Sequence, residues 1–570
     1  MRFAKASLVV LLLASPVAAA SSEGAAIPRS RETIDVSIVN LDVIVTDRKG
    51  NHVPGLTASD FEVFEDGTPQ AISNFAEYAS GPKSTVASSK AGVSMPPADA
   101  PQRERRTIAI FIEDFHLPGF RVATIFDALK KTLHEVVAPG DAVLIATWKL
   151  RTKVILDYTD NLASIDAVLD RIAKESASVQ YDTIDNHLKR LQEIREFFGE
   201  IQDFGAKAGL KVDDRSKDAA LQSEANDQAV MEKMRIRAKA AAINALITSM
   251  SNDNGRKALI LMTRRFSELA GGEYFYAIDP GPDLDPSKRS EHMSYSLFES
   301  IKATANAHGV TIYALYPPGL DSVSFTMPTQ APLHGGDLPP LKREAFNHQV
   351  LDNELATLND ITKATGGTTS WGSVYISEAL PRIRDDFNAY YSLAYRVPVR
   401  KDNRARNITV KAKNGDYTVR SRRQYMEKTD DGRVRDQVIA TLFRSPLLSG
   451  IKVEMSVGQA EAREGFLFSI PVSLRMPVAS FMTKPEGTVS KGSYTVYIAT
   501  GRIAGETSDI TKQTIPFTVG DSETVPEDGY FTFNFELVTD FTTDRLAVGV
   551  FDEVSRDSGF ARFEFYSPKP

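Results

Sequence analysis

Glu113 and Asp114 stand side by side, with His116 two residues on, where the apolar run Thr107-Ile-Ala-Ile-Phe-Ile112 stops. Carboxylates there can serve a hard divalent cation, which takes oxygen ligands and demands several of them. The Asp114–His116 neighbourhood is also the minimum for a hydrolytic acid–base pair. A second apolar run, Lys257-Ala-Leu-Ile-Leu-Met-Thr263, ends in Arg264 and Arg265. A guanidinium fork matches a carboxylate well, so either arginine is suited to pair with Asp114 or Glu113. One isolated carboxylate cannot replace the waters around Mg²⁺. The residue types leave two outcomes open, an arginine–carboxylate pair across the strand ends or side chains that point into solvent and pair with nothing, and no metal or cofactor is expected.

Other chemistries fail on spacing. His334-Gly335-Gly336 is not accompanied by a Gly-x-Ser-x-Gly elbow, which argues against acyl transfer. No Gly-x-x-x-x-Gly-Lys run is present, and the eight histidines lack the spacing of a helical zinc site. Asp385 and Asp386 are neighbours on a predicted helix and do not share a face. Cysteine is absent, which excludes disulfides, thiolate ligands and a cysteine nucleophile. A net charge of −7 argues against a nucleic-acid partner spread over the surface.

The elements that must position Glu113, Asp114, His116, Arg264 and Arg265 follow from periodicity. Residues 1–20 read as a secretory signal: Arg2 and Lys5, an apolar run Leu8–Ala14, and Ala18-Ala-Ala20. No later stretch is apolar enough to span a bilayer, so no membrane segment is expected after cleavage. Residues 33–79 alternate as a small β-domain, and 80–104 have linker composition. From 105 to 428 strands alternate with helices, which predicts an α/β unit with a doubly wound, mostly parallel sheet. Residues 176–250 interrupt it as a helical hairpin. Ile184, Leu188, Leu191, Ile194, Phe198 and Ile201 would pack there against Met231, Met234, Ala238, Ala241 and Ala245. A long loop, 317–350, would rim the crevice at the strand ends. Residues 435–570 read as a β-sandwich of immunoglobulin-like shape.

Several segments together resemble the von Willebrand factor A-related secreted proteins of the acidobacterial type. They are Val43–Asn51, Val53–Phe61, Val63–Gly67, Pro139-Gly-Asp141, Gly255–Leu261, Thr365-Gly-Gly367, Tyr390–Tyr395, Asn407–Lys411 and Tyr417–Arg420. The resemblance spans about 33–425 apart from the helical insertion. It implies a von Willebrand factor A-like, Rossmann-like domain between β-modules, and no established reaction. It also implies a metal-ion-dependent adhesion site built on Asp-x-Ser-x-Ser, a Thr and a second Asp. Here His116 and Pro118 replace the serines, Arg264 stands where the second Asp is expected, and the Thr cannot be placed. The resulting expectation is an exported, periplasmic or secreted, non-enzymatic binding or scaffold protein. Its degenerate site would meet a protein or cell-envelope partner. A Mg²⁺- or Mn²⁺-dependent adhesion module is the alternative, and a hydrolase the third reading.

Overall fold

Seven consecutive buried residues, Thr107–Glu113, form an inner strand of a six-stranded sheet, because both faces of that sheet are covered. The computed structural model describes residues 9–11, 36–79, 105–113, 119–149, 152–178, 183–208, 214–250, 255–278, 291–317, 340–371, 373–443, 450–463, 467–487, 489–501, 507–520, 529–540 and 545–565. The strands of the central sheet are β1 (Thr107–Glu113), β2 (Ala142–Trp148), β3 (Thr152–Thr159), β4 (Lys257–Met262), β5 (Val310–Tyr316) and β6 (Thr369–Trp371). Their helices are α1 (Gly119–Val136), α2 (Leu162–Ser178), α3 (Thr183–Lys207), α4 (Asp214–Ser249), α5 (Gly272–Ile278), α6 (Tyr295–His308), α7 (Pro340–Thr365) and α8 (Ser373–Asn388).

The sheet order is β6-β5-β4-β1-β2-β3, with β3 antiparallel at one edge and all other pairs parallel. This is a doubly wound order that reverses between β1 and β4, and such a point opens a crevice beyond the strands' carboxyl ends. Ile108, Ile110 and Ile112 pack with α1, α2 and α8 on one face. Ala109 and Phe111 pack with α4, α6 and α7 on the other.

Three expected boundaries are corrected. Strands at Val36–Thr46, Phe61–Glu65 and Ile72–Ala79 do not form a domain of their own. They pair with Ala389–Pro398, Ala405–Ala412 and Thr418–Arg420, which therefore do not belong to an α/β unit running to 428. The α/β unit is thus inserted into one two-sheet sandwich with a shared core around Leu41, Val43, Tyr391 and Leu393. Residues 435–443 are not strand but part of a helix, α9 (Asp430–Phe443), lying on the C-terminal strands Val489–Gly501 and Arg545–Asp552. Residues 340–350 of the expected loop begin α7; the remainder, 318–339, lies outside the described residues.

The C-terminal unit is a two-sheet sandwich in which Leu467–Pro477 pairs with Tyr530–Asp540, and Val489–Gly501 with Arg545–Asp552. Val9–Leu11, inside the expected signal, pairs antiparallel with Glu536–Val538. The rest of the signal and the linker 80–104 fall outside the described residues. No helix among the described residues is long and apolar enough to cross a membrane.

The segments that carried the family resemblance have structural explanations. Asp141 accepts from the Arg106 main chain at 3.0 Å and from its side chain at 2.9 and 3.1 Å, closing the turn into β2. Arg256 is buried against the Tyr390 ring, 4.4 Å from its centroid. The Tyr391 hydroxyl donates to the Val53 carbonyl at 2.6 Å and accepts from Leu56 N–H, while Tyr395 donates to Glu65 at 2.9 Å. Gly366 adopts φ +85°, and a Cβ on Gly367 would overlap the Ile312 carbonyl. The contacts of Tyr391 and Tyr395 join chain segments more than 300 positions apart.

Candidate functional site

Register brings the ends of the central strands to one level: Glu113 lies opposite Trp148, and Met262 lies beside both Ile112 and Leu315. Glu113 is buried at that edge, and its Oε2 accepts three hydrogen bonds. The donors are Lys239 Nζ at 2.7 Å, the Thr263 hydroxyl at 2.6 Å and the Arg264 main-chain N–H at 2.8 Å. Lys239 Nζ also donates to the Arg264 carbonyl at 2.6 Å and lies within 3.3 Å of Thr263 Oγ1. The Trp148 and Phe266 rings flank the ammonium, 5.0 and 5.5 Å from their centroids. A desolvated ammonium gains from such faces.

Lys239 is 0% exposed, which sets its electrostatics. Burial pushes its pKa down, and Glu113, then Glu232 and Glu354, work against that shift. A fully buried ammonium persists when its protons are bonded and its charge matched, and here the carboxylate, a carbonyl and a hydroxyl surround it.

Of the residues selected from the sequence, Glu113, Arg264 and Arg265 converge at this corner, whereas Asp114 and His116 lie outside the described residues. The manner of convergence differs from expectation. Arg264 clamps the pair through its main chain, N–H to Glu113 and C=O to Lys239. Arg265 turns to a neighbouring acid cluster: its N–H donates to Glu354 at 3.0 Å and its guanidinium lies 3.4 Å from Glu232. Arg265 holds φ +51°, a left-handed backbone that costs an arginine energy and that these contacts maintain. The cation that reaches Glu113 among the described residues therefore comes from the helical insertion.

The signal for Lys239 was present in the sequence. Ala225, Ala229, Glu232, Ile236, Lys239, Ile243, Leu246 and Met250 recur at alternating spacings of four and three, and all are buried. Two charged residues on an otherwise apolar helical stripe mark a buried ion pair or a site. This stripe corrects the expected one, since Met231 is 62% and Met234 50% exposed. It also corrects the extent of the insertion, because Ile236, Ile243, Leu246 and Met250 cover the central sheet itself.

Glu232, Glu273 and Glu354 gather next to the pair, all buried. Burial, with repulsion from Glu232, raises the Glu273 pKa to about 8, against the pull of Arg265. Burial also raises that of Glu354, opposed by the Tyr316 hydroxyl. Gly271 lets the loop after β4 approach this helix, since a Cβ there would sit 2.6 Å from Ala229 Cα.

The sequence resemblance implied a divalent ion at this corner. Every described contact of Glu113 Oε2 is a hydrogen-bond donor, and an ammonium already supplies the positive charge. No group of three His, Cys, Asp or Glu side chains able to hold a metal occurs among the described residues. Among the described residues this corner forms an internal ion pair; Asp114, the ligand that the resemblance implied, lies outside them.

No protein-family model matches the chain, and no curated protein matches it in sequence. Solved structures that resemble it include the conserved hypothetical protein BatB from Bacteroides thetaiotaomicron, at 12% identity, covering 50% of this chain and 98% of that one, TM-score 0.23. The vWF domain of the type V pili tip protein Mfa5 from Porphyromonas gingivalis follows at 8% identity, 50% and 96% coverage, TM-score 0.22. A von Willebrand factor type A protein from Catenulispora acidiphila is 10% identical, with 81% and 66% coverage and TM-score 0.19. At such TM-scores the strand order of the sheet, not the likeness, describes the fold.

Proposed function

We propose that this chain is an exported, non-enzymatic binding protein. Its α/β unit, of the von Willebrand factor A kind, would engage a protein or envelope partner at the crevice without a bridging divalent cation. The observation that carries this reading is Lys239 Nζ, 2.7 Å from Glu113 and fully buried, at the sheet corner where an ion would be sought. Its charge is consumed internally, so recognition falls to the crevice rim and not to metal coordination. The Thr263 hydroxyl, 0% exposed, donates to Glu113 and is not offered to a substrate.

Calorimetric titration of the full chain with Mg²⁺, Mn²⁺ and Ca²⁺ tests the reading. The expected result is no saturable binding. Stoichiometric binding abolished by Asp114→Ala would replace this function with metal-dependent adhesion.

A further inference from the structure

On α3, Glu193, Phe197, Glu200 and Phe204 are spaced i, i+4, i+7 and i+11, which places them on a single stripe. All four are exposed, Phe197 at 58% and Phe204 at 72%. The opposite stripe, with Leu191 and Ile194, packs into the small core formed with Leu221, Ala225 and Ala229 of α4. Phe198 meets Phe197 edge-on at 5.5 Å and orients its ring. Single exposed apolar side chains are ordinary, but two aromatic rings one heptad apart on one helical face form an anchoring pattern.

The surroundings define the chemistry of what would cover it. Carboxylates alternate with the rings along the stripe, and residues 193–227 carry nine Asp or Glu against five Lys or Arg. A second copy would bring the same negative arm, and an anionic lipid surface the same sign of charge, so both are disfavoured. A cationic amphipathic helix satisfies both features, with apolar residues over the rings and Lys or Arg beside Glu193 and Glu200.

We propose that the outer face of α3 is a docking surface for a cationic amphipathic helix of a partner protein, separate from the crevice and independent of how the crevice works. The probe is a labelled Lys/Leu amphipathic peptide, with a scrambled peptide of equal composition as control, titrated by fluorescence anisotropy against the full chain. The amphipathic peptide should bind and the scrambled one should not. The double variant Phe197→Ser/Phe204→Ser, which alters only exposed rings, should weaken binding by about tenfold or more. Glu193→Lys/Glu200→Lys should weaken it most at low salt. Equal affinity for both peptides, or an unchanged Kd in the phenylalanine variant, would overturn the proposal. So would a chain dimer that the same variant dissociates, because the occupant would then be a second copy.

Discussion

Lys239 occupies a position that apolar residues hold elsewhere along its stripe, and it is retained there by Glu113. Lys239→Ala leaves that carboxylate buried with two neutral donors and no cation, a change that costs about 3–5 kcal/mol. Urea unfolding should show a loss of that size. The double variant Glu113→Gln/Lys239→Met should cost clearly less than the two single changes added, since it removes both charges together. Glu273 gives the same corner a pH dependence. Its folded-state pKa of about 8 lies above the ordinary carboxylate value, so the folded chain keeps a proton that the unfolded chain releases. Stability should therefore be full below the unfolded value near 4.5, fall as pH rises toward 8, and level off beyond it. Glu273→Gln should flatten that slope in a pH series of unfolding curves. At this scale, Glu113, Arg264 and Arg265 could be read from the sequence because they cap obvious buried strands. Lys239 was concealed among alanines, lysines and arginines whose hydropathy does not distinguish the two sides of a helix.

The insertion shows where periodicity misled. Met231, Met234, Ala238, Ala241 and Ala245 form a plausible apolar row, yet the buried row is the one through Ile236, Lys239 and Ile243. The spacing of that row is legible in the sequence, but local pattern does not say that Glu113 and Arg265 face its two charges. The α4 helix thus has two roles along its length. Its first part packs with α3, and its second part is a wall of the α/β core. Replacing residues 195–224 with a short turn should leave a cooperatively folded chain, because Lys239 and the sheet-facing half remain. Deleting 176–250 should abolish the cooperative transition. Circular dichroism melts of the two deletions check the distinction.

For the whole molecule, the strand–helix alternation and the doubly wound sheet were predictable because the parallel strands β1, β2, β4 and β5 are largely apolar runs. The domain boundaries were not, because a strand's alternation does not say which distant strand it joins. Tyr391 reaching Val53 and Tyr395 reaching Glu65 tie both sides of the α/β insertion into one sandwich. A fragment covering 36–426 should therefore resist limited proteolysis as one unit. A fragment covering 105–428 should be cut rapidly within 389–426, where the strands have lost their partners.

The proposed metal-independent binding rests on Lys239 Nζ held against Glu113. A crystal of the full chain grown in excess Mn²⁺, with diffraction recorded near the manganese absorption edge, measures this directly. The expected map has Lys239 Nζ against Glu113 with no anomalous peak beside it. An anomalous peak coordinated by Glu113 or Asp114, with Lys239 displaced, would contradict it.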